Sequence, residues 1–121
     1  MDKAQAIHNF WLQFGLPAYD ENSVPDDAVM PYITYTVATD NFDNPVSLSG
    51  SIWYRSETWK DITLKSEEIS RKVSEKGYYI INVDGGYLWI TRGSPFAQRM
   101  TDINPVKRIY INLMAEFLTA H

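Results

Sequence analysis

At 121 residues, with 45% hydrophobic, 14% aromatic and 21% charged residues, the chain has the length and composition of one soluble globular domain spanning 1–121. Its 11 Lys and Arg against 15 Asp and Glu leave a net charge of −4, which tilts against a protein that grips nucleic acid through its phosphates, although a local basic patch stays open. The absence of cysteine removes disulfides, thiolate nucleophiles and cysteine-ligated metals together. No apolar run nears the ~20 residues that span a bilayer, and the first residues lack a signal-peptide pattern, so synthesis and folding in a cytoplasm are expected.

Ile7, Phe10, Trp11 and Phe14 recur at helical spacing and predict an amphipathic helix at the start of the chain. Asp2 is its expected cap, with Gln5 placed as in a capping box, and Gly15 and Pro17 end it. Residues 16–31, with three prolines and four acids, read as irregular chain. Such a segment is either a connection pinned by Tyr19, Val24 and Val29 or a contact loop.

Tyr32 to Thr39 is rich in β-branched and aromatic residues, and Val46 to Ser56 follows after the turn-forming Asp40 to Pro45, so the pair predicts an antiparallel hairpin. Gly50 in mid-strand implies a bulge or the close approach of another group. Trp59, Ile62, Ser66, Ile69 and Val73 then mark one stripe of a second helix that begins between Thr58 and Lys65. Glu67–Arg71 and Glu68–Lys72 are spaced for ion pairs along it, and Gly77 stops it.

Two β-rich runs around Asp84-Gly85-Gly86 predict a tight hairpin, apolar on both faces and therefore central in the sheet or covered on each side. Arg92 to Met100, "RGSPFAQRM", reads as a loop between strands. The last run, from Val106, alternates from Ile109 to Phe117 and is taken as a long strand, although residues 113–119 also fit a helix. The order α-β-β-α-β-β-β describes an α+β domain, one antiparallel or mixed sheet with two helices packed on one face.

A search for chemistry is barren. His8 and His121 have no second ligand at metal spacing, no serine stands in a nucleophile elbow, and the adjacent acids Asp26-Asp27 and Glu67-Glu68 cannot work as a dyad. No metal, cofactor or reaction is expected. Trp53, Tyr54, Tyr87 and Trp89 are suited to base stacking, but the acidic balance favours a role in the core or at an interface. What remains is assembly. Arg92 and Arg99 have Asp20, Glu21, Asp26 and Asp27 on a neighbouring copy to meet, with Phe96, beside Pro95, as the apolar anchor. Asp26, Asp27 and the turn at Asn41, Phe42 and Asp43 are candidate contacts to the neighbour or another partner.

The stretches "LPAYDENSVPDDAVMPYITYT", "IWYRSETWKDI", "DGGYLWITRGSPFAQRM" and "VKRIYINLMAEF" together resemble the small tail-terminator, or tail completion, proteins of long-tailed bacteriophages and prophages, especially those of Gram-positive hosts. The resemblance covers most of the chain, and its most specific parts are "VPDDAVMPYITY" and "RGSPFAQRM". It implies a compact α/β subunit of a hexameric ring that caps the tail-tube protein and meets the head-side connector, without enzymatic activity. The implied location is the head-proximal end of the virion tail after assembly in the host cytoplasm, with DNA passing through the lumen but not recognised by sequence. A head–tail connector or stopper protein, and a cytoplasmic adaptor module, are the alternative readings.

Overall fold

Asp2 starts the first helix as expected: its carboxylate accepts the Gln5 amide at 2.7 Å, satisfying one of the amides left free at a helix start. This helix, α1 (Lys3–Leu12), belongs to a computed structural model that describes residues 1–36, 46–100 and 103–119. The second helix is α2 (Lys60–Ser74), and the strands are β1 (Ala18–Asp20), β2 (Tyr32–Tyr35), β3 (Val46–Arg55), β4 (Tyr79–Val83), β5 (Gly86–Met100) and β6 (Val106–Thr119). All six strands join one curled sheet in the order β1-β2-β3-β6-β5-β4, giving a mixed α+β fold.

One face of this sheet makes the core. Ile33, Leu48, Ile52, Leu88, Ile90, Ile111 and Leu113 are buried on neighbouring strands, and the ladder sets Leu48 beside Leu113 and Ile52 beside Ile109. Each such side chain taken out of water stabilises the fold by about 1.5–3 kcal/mol. Ile7, Phe10 and Trp11 of α1, with Phe14 just beyond its end, and Ile62, Ser66, Ile69 and Val73 of α2 are buried as their spacing predicts. Trp59, the first residue of the predicted second stripe, instead precedes α2 and is half-buried. Trp11 explains Gly50. A Cβ there would stand 2.9 Å from the indole Cη2, so the ring lies against bare backbone, and close approach rather than a bulge is the reason for the glycine. The indole Nε1 has no hydrogen-bond partner among the described residues.

The curl of the sheet brings both edge strands, β1 and β4, to α1. Phe10 packs edge-on against Tyr79 at 5.5 Å, and the Tyr79 hydroxyl donates to Gln13 Oε1 at 3.3 Å. Lys65 links the helices by donating to the Phe14 carbonyl at 2.7 Å and to Glu68 at 3.0 Å. Glu68 is thus paired within a turn to Lys65, not to Lys72 as its spacing suggested, and Glu67–Arg71 is not an ion pair either. Gly77 and Gly85 both adopt positive φ, one after α2 and one in the β4–β5 turn, where a side chain would be strained.

Four expectations are corrected. The segment 16–31 is not wholly irregular: Ala18–Asp20 forms β1, parallel to β2 through Ala18↔Ile33, so the element order gains a strand. Val29 does not pin that segment, being 77% exposed. The β4–β5 hairpin is not central, because β4 lies at the sheet edge with Ile80 41% exposed. Arg92–Met100 is not a loop but the distal half of β5, paired with β6 from Ala97↔Ile111 to Met100↔Arg108 after a register shift between Arg92 and Ala97. The last run is strand throughout, so Ile109, Ile111, Leu113 and Ala115 are buried on one face. Val37 to Thr39 of the predicted second strand, and the turn after it, lie outside the described residues.

Candidate interface surfaces

The Arg92–Met100 segment owes its shape to its sequence. Gly93 passes so close to β6 that a Cβ would stand 2.5 Å from Asn112 Nδ2 and 2.8 Å from the Asn112 carbonyl oxygen. Residues 93–96 carry the register shift, and Pro95, exposed on this stretch, has no amide to give a ladder. Phe96, read from the sequence as an apolar anchor for a neighbouring copy, is half-buried and packs on the core of its own chain.

Both arginines are exposed yet tied to α2. Arg92 Nη1 donates to Ser70 Oγ at 2.8 Å, and its guanidinium lies 5.6 Å from the Phe96 ring centre. Arg99 lies 4.9 Å over the Trp59 ring and approaches Thr63 Oγ1 at 3.5 Å. Lys107 reaches the same ring at 5.8 Å. Each guanidinium has five N–H donors in a fixed fork, so one bond to α2 aims the remainder outward.

The acidic segment sits at the opposite edge of the sheet. Asp20 ends β1, its carboxylate accepts the Asn22 amide at 2.9 Å, and Glu21 N donates to the Tyr35 carbonyl at 2.9 Å. Asp26 and Asp27 are exposed in a turn that closes on the Ala28 amide and the Pro25 carbonyl. Three strands (β2, β3 and β6) separate β1 from β5, so within one chain the acids and the arginines do not meet. Asn41, Phe42 and Asp43 lie outside the described residues.

The sequence reading missed a row of side chains on the second sheet face. Tyr19 packs against Tyr32 at 5.7 Å, Tyr32 against Trp53 at 6.4 Å, and the Arg108 guanidinium lies 4.8 Å from the Trp53 ring centre. Trp53 Nε1 donates to Thr34 Oγ1 at 2.9 Å and Arg108 Nε to Ser51 Oγ at 3.0 Å, which fixes the row. All four of its members are half-buried. The signal was present in the alternation of each strand, but strand order is needed to see that four strands place these residues side by side.

The four aromatics considered for base stacking do not form one platform. Trp53 carries Arg108, whereas Trp89 is stacked on Tyr78 at 4.1 Å on the far pair of strands. Tyr54 packs towards the core, where burial and then Asp61 and Glu68 raise its phenol pKa. His8 is half-buried and shares a hydrogen bond between Nδ1 and the Tyr35 hydroxyl at 2.7 Å. The Tyr35 phenol is likewise raised, by burial first and then by Asp20.

A cleft of about 540 Å³ opens between the end of α1 and α2, bounded by Gln13, Phe14, Glu68, Arg71, Lys72 and Glu75. Its charges balance, and Ser74, which also lines it, donates its hydroxyl to the Ser70 carbonyl at 2.6 Å. Among the described residues no three His, Cys, Asp or Glu side chains cluster to hold a metal, and no helix is long and apolar enough to cross a membrane. No protein-family model matches the sequence, and no curated protein is similar to it.

Proposed function

We propose that this chain is a structural subunit of a long-tailed phage virion, a tail terminator whose copies close into a six-membered ring, cap the tail tube and meet the head-side connector. In this reading both helices cover one face of the sheet, and the other face is left for neighbours. The observation that supports it most is the half-buried row Tyr19, Tyr32, Trp53 and Arg108, a fixed surface of aromatic rings and a planar cation of the kind that anchors protein interfaces. A ring also needs two unlike patches that meet head to tail. The acids Asp20, Glu21, Asp26 and Asp27 at the β1 edge and the arginines Arg92 and Arg99 on β5, with Phe96 between them, are such a pair, separated by three strands. The subunit works by shape and charge, without cofactor or reaction, and an acidic ring lets DNA pass without holding it.

Electron microscopy of the purified protein, alone and mixed with tail tubes, tests the reading. Rings with a mass near six times 14.0 kDa, seated at one tube end, are expected. A protein that stays a monomer with and without tubes, and leaves tube growth unchecked, overturns it.

A further inference from the structure

The two edges of the sheet are protected very differently. β1 offers three residues, follows Pro17 and ends on a charged residue, Asp20. β4 offers five, Tyr79-Ile80-Ile81-Asn82-Val83, with no charge, no proline and no register shift against β5. Natural edges usually carry such guards, because unpaired backbone groups recruit another strand. In the two-residue turn Asp84-Gly85, Val83 and Gly86 face each other, so Tyr79, Ile81 and Val83 spend their backbone groups on β5 while Ile80 and Asn82 turn theirs outward. Ile80 is also 41% exposed.

We propose that the outer edge of β4 pairs antiparallel with β4 of a second copy, centred on Ile80. In that register Ile80 meets Ile80 of the second copy, Asn82 meets its Tyr78, and Ile81 meets its Tyr79. Ile80 therefore faces Ile80 on one face of the joined sheet and Ile81 faces Tyr79 on the other, with Asn82 beside the Tyr78 ring at the flank. Asp84 is held within its own chain, its carboxylate accepting from the Met1 ammonium at 2.6 Å, so the pairing rests on the outward backbone groups of Ile80 and Asn82 and on the apolar side chains beside them. The surroundings also leave room. Asp84 N already donates to the Met1 carbonyl at 2.9 Å, and Met1 thus fills the place beyond Asn82, where Gly77 at positive φ has turned the partner chain away towards α2. The contact differs in kind from a ring contact, since one patch meets itself about a two-fold axis.

The chain has no cysteine, which makes single-cysteine variants informative. Oxidation or a short bismaleimide is expected to link Ile80→Cys into a covalent dimer, because facing residues of such a pair lie about 5.5 Å apart. Asn82→Cys is expected to stay unlinked, being displaced from its own counterpart along the strand. By sedimentation, Ile80→Lys is expected to raise the dissociation constant of the dimer at least about tenfold, since it sets like charges face to face. Glu57→Lys, the same change of charge at an exposed position between β3 and α2, leaves it unchanged. A protein monomeric at every concentration, or equal linking of both cysteine variants, overturns the pairing. A six-fold assembly indifferent to Ile80→Lys overturns it too, while leaving the ring intact. Should Ile80→Lys not fold, the cysteine pair decides.

Discussion

The two halves of β5 lie on either side of one register shift and are held by unlike means. From Gly86 to Ile90 the strand has β4 on one side and β6 on the other, and Leu88 and Ile90 are fully buried. From Ala97 to Met100 it keeps only β6, and Gln98, Arg99 and Met100 are exposed. There the hold comes from long side chains braced on α2 through Trp59 and Thr63. The first half is anchored by water excluded from apolar surface, the second by contacts that water can reach. A surface intended for partners is more readily built from the second kind, since its donors and ring faces stay accessible.

The largest expected difference between the halves comes from emptying the core. Ile90→Ala should lower stability by about 2–5 kcal/mol in urea unfolding, since the buried side chain leaves a cavity between strands. Gln98→Ala, the same truncation on the exposed half, should change it by less than about 0.5 kcal/mol. Comparable losses at both positions would mean that the distal half is as deeply anchored as the proximal one. The junction is the next test. Gly93→Ala forces a methyl against the Asn112 backbone and side chain, and a loss of about 1–3 kcal/mol is expected. A neutral substitution would show that β6 yields there.

The same contrast explains what the sequence could tell. Leu88 and Ile90 sit in a run of β-branched and aromatic residues beside Asp84-Gly85, so both the strand and its turn were legible from local pattern. Gly93, Pro95 and the two arginines are turn and surface chemistry, and read locally they make a loop. Their place in a strand depends on β6, which pairs Arg92 with Leu113 and Arg99 with Ile109 on either side of the register shift, and local pattern does not encode that. β1 was hidden for a related reason: three residues between Pro17 and an acidic stretch become a strand only because Ile33 lies beside Ala18. The aromatic row on the second face was invisible in the same way. Its members were seen one strand at a time, and their adjacency is a property of strand order. Core positions fared well because helical and strand periodicity both report burial directly.

The smallest effect separates the two possible uses of the arginines. Arg99→Ala removes a cation lying 4.9 Å over Trp59, and an exposed contact of this kind contributes about 0.5–1 kcal/mol. A double-mutant cycle with Trp59→Leu should return a coupling of that size, because a leucine keeps apolar contact but offers no ring face. If the brace also aims the guanidinium at a neighbour, Arg92→Ala with Arg99→Ala should shift the assembled mass well beyond what so small a loss of fold stability explains. Trp59→Leu alone should shift it part of the way, since an unbraced Arg99 must be ordered again on contact. Full coupling with an unchanged assembly would confine both arginines to holding β5 on α2, and the ring contact would then have to lie on the Tyr19–Arg108 row.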